Sequence, residues 1–236
     1  MQHLVIGLGE VGSAVQKILK CDGYDISSGL PSKNQYDFLH ICFPYSEGFV
    51  GFTKAYILEF KPKYVVVHST VPLGTCDPHQ WIHSPVRGVH PDLEKGIRTF
   101  IKYFGGVNAE FAAHEFSERK ITTLTTTKAA HTEALKLWDT TQYGIMIALE
   151  KEIHAYCKRH DLPFDLVYQH ANMSYNEGYT KLGKPEVVRP YLDQYDGPIG
   201  GHCVIPNAEI LRDQEEVSTV MLDALLEINE LCKDKE

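Results

Sequence analysis

Leu4-Val5-Ile6-Gly7-Leu8-Gly9-Glu10-Val11-Gly12-Ser13-Ala14-Val15 joins an apolar run of strand length to a glycine-rich turn. A helical pattern follows, carried on by Val15, Ile18 and Leu19. Strand, G-x-G-x-x-G and helix in that order form a dinucleotide-binding fingerprint. Each glycine has its own task. Gly7 permits the tight turn, Gly9 lets backbone approach a pyrophosphate, and Gly12 lets the helix lie close to the strand. The helix N-terminus, with the backbone of Glu10 and Val11, offers N–H groups and a positive dipole end to phosphate. Asp25 follows near the end of a second short strand, Gly23–Ile26, where a carboxylate can accept ribose hydroxyls. No arginine follows it closely, and the acid repels a 2′-phosphate, so the expected cofactor is NAD rather than NADP.

Downstream, the pattern repeats. Tyr36–Phe43 is a nearly continuous apolar run, as in a strand buried on both faces, and Pro44 ends it. Residues 46–61 carry Phe49, Phe52, Ala55, Tyr56 and Phe60 at helical intervals, and Tyr64–His68 makes another buried strand. Alternating strands and helices predict an α/β fold, a Rossmann-type doubly wound parallel sheet. Ligands bind such a sheet at the carboxyl ends of its strands, which puts Pro44, Ser69 and Thr70 in the candidate cofactor crevice. Ser69–Thr75 is equally good chemistry for a capped turn. A loop, a short helix and a final strand are expected over residues 82–106, then a helix over 110–118 and a short strand or connector over 122–127. His90, beside Pro91, is either a substrate contact or a solvated loop histidine.

The period changes at about Lys128. Residues 129–159 read as one helix about 45 Å long, too long for a small crossover. Leu135, Leu137, Trp138, Tyr143, Ile145, Met146, Ile147, Leu149 and Ile153 make it apolar on most sides. A helix apolar all round is buried, so it reads as the spine of an all-helical second domain and as a homodimer interface. The expected division is a Rossmann domain at 1–127 and a helical domain at 128–236. Lys136, set among apolar neighbours, is either a snorkelling surface lysine or one presented to a closed site. Residues 200–203 form a glycine-rich loop, Gly-Gly-His202-Cys203, ahead of a helix capped at Asn207. A thiol there, beside a histidine and a helix N-terminus, is favoured as thiolate. An amphipathic helix over 215–232 closes the chain.

Bulk properties narrow the class. The 236 residues are 43% hydrophobic and 23% charged, with a formal charge of −8, so the chain is globular and carries no nucleic-acid footprint. No apolar run approaches the roughly 20 residues that span a bilayer, and no signal peptide is read. Cys21, Cys42, Cys76, Cys157, Cys203 and Cys232 are scattered without CxxC pairs. That fits reduced thiols in the cytoplasm, with no metal site and no disulfide frame.

Together, GLGEVG at 7–12, STVPLGT at 69–75, SPVRG at 84–88, EALK at 133–136 and GPIGGHCVIP at 197–206 resemble the UDP-glucose/GDP-mannose dehydrogenase family. The motifs are in the family's order and span nearly the whole chain. The resemblance implies oxidation of a sugar alcohol twice, to an acid, with two NAD, through a thiohemiacetal and then a thioester. It places the nucleophile at Cys203, the oxyanion-stabilising lysine at Lys136 and the water-handling threonine at Thr70. The chain departs from the family at Val86, Thr140 and Asn207, which stand where the family has Glu, Asn and Asp. It also ends where a second, nucleotide-sugar-gripping domain is expected. Three readings stay open: a dehydrogenase using Cys203 and Lys136, a one-step hydroxyacid-type dehydrogenase using Lys136 alone, and a non-catalytic NAD-binding protein.

Overall fold

A computed structural model describes residues 1–27, 31, 33–200, 203–214 and 219–233. His202 and Gly201, singled out above, lie outside the described residues, as does much of the loop that follows Asp25. The chain divides into two compact units, Met1–Lys136 and Leu137–Glu236. Both belong partly to one helix, so the division falls within the long helix rather than before it.

The first unit is a seven-stranded sheet whose elements alternate as the apolar runs predict. Its strands are β1 (His3–Ile6), β2 (Asp22–Tyr24), β3 (Phe38–Ile41), β4 (Tyr64–Val67), β5 (Ile82–His83), β6 (Lys102–Gly105) and β7 (Thr123–Thr126). They lie in the order β2-β1-β3-β4-β5-β6-β7. Pairing is parallel except between β5 and β6, which meet antiparallel at His83 and Gly105. The expected parallel sheet is therefore mixed, β6 entering antiparallel to β5. The order reverses at β1, and the crevice that this opens lies beyond the carboxyl ends of β1 and β3.

Four helices cover the sheet: α1 (Glu10–Leu19), α2 (Phe49–Phe60), α3 (Leu93–Thr99) and α4 (Ala109–Ser117). On one face Val5, Phe38, Val66 and Phe104 pack against Val15, Ile18, Ile97 and Phe116. On the other, Leu4, Ile6, Leu39, Ile41 and Val67 pack against Phe49 and Phe60. Fully burying one such side chain contributes about 1.5–3 kcal/mol, so these two layers hold the site's framework.

α5 runs from Ala129 to Arg159, matching the expected span. Its start is capped by Asp77, whose carboxylate accepts the N–H groups of Ala129 (2.8 Å) and Ala130 (3.1 Å). In the second unit α6 (Ala171–Lys181), α7 (Val204–Gln214) and α8 (Val220–Lys233) join its remainder. Gly144 lets α7 and α8 approach, since a Cβ there would meet Val204 and Leu225. The helix is not buried all round, however. Trp138, Tyr143, Leu149 and Tyr156 are each about half exposed in the single chain.

Candidate functional site

The glycine turn has the geometry its sequence predicts. Gly7 sits at φ +87°, a left-handed value that suits only glycine, and a Cβ there would stand 2.9 Å from the backbone nitrogen of Phe43. At Gly12 a Cβ would overlap the carbonyl oxygen of Gly7, so close packing of helix on turn demands glycine. Gly9 differs. A Cβ at Gly9 would meet nothing within 4 Å, so nothing in the chain itself requires glycine there. Its α-carbon faces open space.

Asp25 is tied into this turn, since its Oδ2 accepts the N–H of Leu8 at 2.7 Å. With Gly7, Phe43, Pro44, Phe52 and Tyr56, it lines a cavity of about 380 Å³. Apolar walls and one carboxylate suit an adenosine. Ser13 fastens the turn from the helix side by donating to the carbonyl of Leu8 at 2.8 Å. Val11, half-buried, packs on the core, while Glu10 is exposed and pairs with His90. His90 thus holds a carboxylate of the glycine loop, a third possibility beside the two that the sequence offered.

The second cluster lies around Ser69–Thr75. Ser69 is a structural tie, its hydroxyl donating to the carbonyl of Phe43 at 2.6 Å. Thr70, half-buried, lies beyond the end of β4. Fully buried Glu133 clamps the loop, its carboxylate accepting the N–H of Gly74 (2.7 Å) and of Cys76 (2.8 Å). Burial raises the pKa of this carboxyl in spite of those two hydrogen bonds, which act against the shift. His83 bridges the same loop to α5. A carbonyl only accepts, so Nε2–H donates to Ser69 at 3.1 Å, leaving Nδ1 to Thr132 Oγ1 at 2.9 Å. Burial lowers the pKa of His83 to about 3, so it is neutral.

Lys136, one turn beyond Glu133 on α5, is half-buried and donates to the carbonyl of Val86 at 3.1 Å. That links it to the Ser84–Gly88 loop, which Gly88 pins against Gly96 of α3. Lys136, Thr70 and both loops therefore belong to the first unit. The motif EALK places its Glu and its Lys on one side of the helix, one holding each loop.

Cys203 belongs to the second unit. It immediately precedes α7, and its carbonyl accepts the N–H of Asn207 at 3.1 Å. The expected cap at Asn207 is not observed: α7 starts three residues earlier. Pro206 fits that first turn because it has no N–H to satisfy there. Asn207 is buried instead, donating to Thr140 Oγ1 at 2.6 Å. Two of the three departures from the family pattern thus bond to each other. Among the other thiols, burial pushes Cys21 up to about 12 and raises Cys42 and Cys76 further. The described residues contain no cluster of histidine, cysteine, aspartate and glutamate able to hold a metal, and no helix long and apolar enough to cross a membrane.

Sequence reasoning passed over Glu133, His83 and Asp77 as positioning groups. For His83 and Glu133 the signal was a polar residue among apolar neighbours; Asp77, within a polar loop, carried none.

No family model and no curated protein matches the chain. Solved structures do, at low identity. The UDP-D-ManNAc dehydrogenase of Pyrococcus horikoshii superposes with a TM-score of 0.79 at 17% identity, covering 98% of this chain and 68% of its own. The UDP-glucose dehydrogenase of Pyrobaculum islandicum gives 0.72 at 18% identity, over 98% and 68%. MTH1747, a conserved protein of unknown function described as similar to 3-hydroxyacid dehydrogenases, gives 0.72 at 13%, over 99% and 97%. The fold is therefore a Rossmann-like α/β fold, shared with these structures over nearly the whole of this chain.

Proposed function

We propose that the chain is an NAD-dependent dehydrogenase that oxidises a CH–OH group of a sugar-like substrate. The observation that carries this reading is the open side of Gly9, at the N-terminus of α1, in the same glycine turn whose Gly7 lines the Asp25 cavity. Those residues fit the cofactor: Gly9, Glu10, Val11 and Gly12 would hold the pyrophosphate, and Asp25 and Pro44 the adenosine half. Bound there, the nicotinamide would supply hydride acceptance. Asp25 favours NAD over NADP because its carboxylate opposes a 2′-phosphate.

The protein's own residues would prepare the substrate. Lys136 would stabilise negative charge on the reacting oxygen, with Thr70 handling water and the released proton. Cys203 would act in a second oxidation, its thiolate adding to the aldehyde carbon before the second hydride leaves, so that hydrolysis of the thioester yields the acid. These roles rest on the resemblance of the motifs.

The Thr140–Asn207 hydrogen bond supports a second reading, a one-step dehydrogenase of hydroxyacid type. Neither partner is a carboxylate, and Val86 supplies none, so a general base for thioester hydrolysis is lacking at those positions.

The test is NADH formation on a panel of UDP-sugars and 3-hydroxyacids, with product analysis. Acid product from a UDP-sugar, lost in Cys203→Ser, supports the first reading. Turnover of a hydroxyacid that survives Cys203→Ser supports the second. Cofactor binding without turnover on any substrate overturns both.

A further inference from the structure

His3, His40 and His68 each interrupt an otherwise apolar run, and all are buried on the α4-covered face of the sheet. Pairing explains the alignment. Phe38 lies opposite His3, His40 is two residues further along β3 and opposite Val66, and His68 is two residues beyond Val66. The period of two keeps all three on one face and steps them diagonally across it. They hydrogen-bond in series: His3 Nδ1 to His40 Nε2 at 3.0 Å, and His40 Nδ1 to His68 Nε2 at 3.0 Å. At one end, His3 Nε2 meets Glu115 Oε2 of α4 at 2.9 Å. At the other, His68 Nδ1 lies 2.8 Å from the carbonyl oxygen of Ser84, which accepts from it when Nδ1 carries the proton, and 3.2 Å from Nζ of Lys102, a fully buried lysine on β6. Lys102 Nζ also donates to the carbonyls of Ser84 (2.6 Å) and Pro85 (3.0 Å). Glu115 retains some exposure and pairs with Arg119.

Counting protons shows what this series can do. It contains four contacts, Lys102–His68, His68–His40, His40–His3 and His3–Glu115, each with room for one proton. With Lys102 as an ammonium, its three N–H groups serve His68 Nδ1 and the carbonyls of Ser84 and Pro85, every histidine carries its proton on Nε2, and the line ends on the Glu115 carboxylate. When the Lys102 N–H bond breaks, an N–H forms at His68 Nδ1, and His68 passes its Nε2 proton to His40 Nδ1. His40 and His3 repeat the step, and the last proton forms an O–H on Glu115, which releases it to water. Lys102 is left as an amine with two N–H groups, enough for the two carbonyls, and all three histidines have become Nδ1–H tautomers. No electrons move, and the one contact left without a proton is His3–Glu115, at the partly exposed end of the line.

We propose that Lys102, His68, His40, His3 and Glu115 form a proton-transfer line that exchanges the proton of a buried lysine with the surface. Through it Lys102 holds the Ser84–Pro85 backbone strongly as an ammonium and more weakly as an amine. The loop it grips is the one whose Val86 carbonyl binds Lys136, so the line acts as a positioning device for that loop. Burial lowers Lys102 well below the ordinary lysine value and does the same to His40 and His68, which keeps the imidazoles neutral carriers. The charged groups around the line are Arg119 of α4, Lys136 of α5 and the amino terminus, which oppose added protons, and Glu115, which favours them. His83 of β5 and the buried Cys42 thiol are its neutral neighbours.

The experiment is long-range proton–nitrogen NMR of the full chain with 15N-labelled histidine, from about pH 5 to about pH 10, which brackets the ordinary histidine and lysine values. His3, His40 and His68 should pass together from the Nε2–H to the Nδ1–H tautomer as pH rises, with one shared midpoint. Glu115→Gln, a change at the edge of the fold, should move all three midpoints to lower pH by the same amount, because it removes the anion that stabilises the ammonium state. Lys102→Met should fix all three as Nδ1–H throughout. Separate midpoints, unchanging tautomers, or a Glu115→Gln effect confined to His3 would overturn the proposal.

Discussion

Lowering the pH should destabilise the first unit steeply. His40, His68 and His83 are fully buried, and burial lowers the pKa of each in the folded state, to about 3 for His83. A base with a depressed folded pKa contributes stability that is complete above its unfolded value, near 6.5, and is lost as pH falls toward the folded value. At about pH 5 each unfolded histidine, by taking up a proton, favours the unfolded chain by about 2 kcal/mol, or about 6 kcal/mol for three. Glu133 and Glu150 work in the opposite sense, because burial raises their carboxyls and the fold then binds the extra proton. The net loss expected between about pH 7 and about pH 5 is therefore about 3–6 kcal/mol, a large part of an ordinary domain's stability. Buried Trp81 reports this unit, and Trp138→Phe removes the chain's other tryptophan. Urea titrations of that variant followed by fluorescence give the stability at each pH. A stability that is flat or rises on acidification would refute the assignment of neutral, buried histidines.

Three further outcomes are expected. Glu133→Ala should lower stability by about 3 kcal/mol or more in urea unfolding, since it removes both acceptors of the Gly74 and Cys76 N–H groups; a change under about 1 kcal/mol would show that the clamp is dispensable. Lys136→Ala should abolish turnover while leaving the NAD dissociation constant within about twofold, and an equal loss of NAD binding would move Lys136 into the cofactor site. Light scattering at micromolar concentration should give twice the chain mass, because Trp138, Tyr143, Leu149 and Tyr156 leave apolar surface on α5 uncovered; a monodisperse monomer would contradict the interface.

The glycine turn, the apolar strands β1, β3 and β4 and the span of α5 were legible because each rests on local periodicity and on glycines whose positions sterics dictate, whereas β5, only Ile82–His83, fell within an expected loop. The antiparallel entry of β6 was not, since strand direction depends on how the chain returns from β5 through α3. Asn207 shows a local rule overridden. Asn is a good N-cap, but Pro206 extends the helix backward and Thr140, distant in sequence, gives the amide a buried partner. The histidine series was hidden for the same reason. One histidine in each of three apolar strands reads as isolated until parallel pairing lines them up.

The central claim, a nicotinamide cofactor on the glycine turn, is tested most directly by calorimetric titration of NAD into the wild type and Gly9→Val. The substitution places its side chain in space that no atom of the chain occupies within 4 Å of the Cβ, so the fold should remain intact. The expected result is saturable NAD binding by the wild type, weaker binding of NADP, and at least about a tenfold loss of NAD affinity in Gly9→Val, which is about 1.4 kcal/mol. Equal NAD affinity in the two proteins, with the fold of both verified by circular dichroism, would contradict the assigned site.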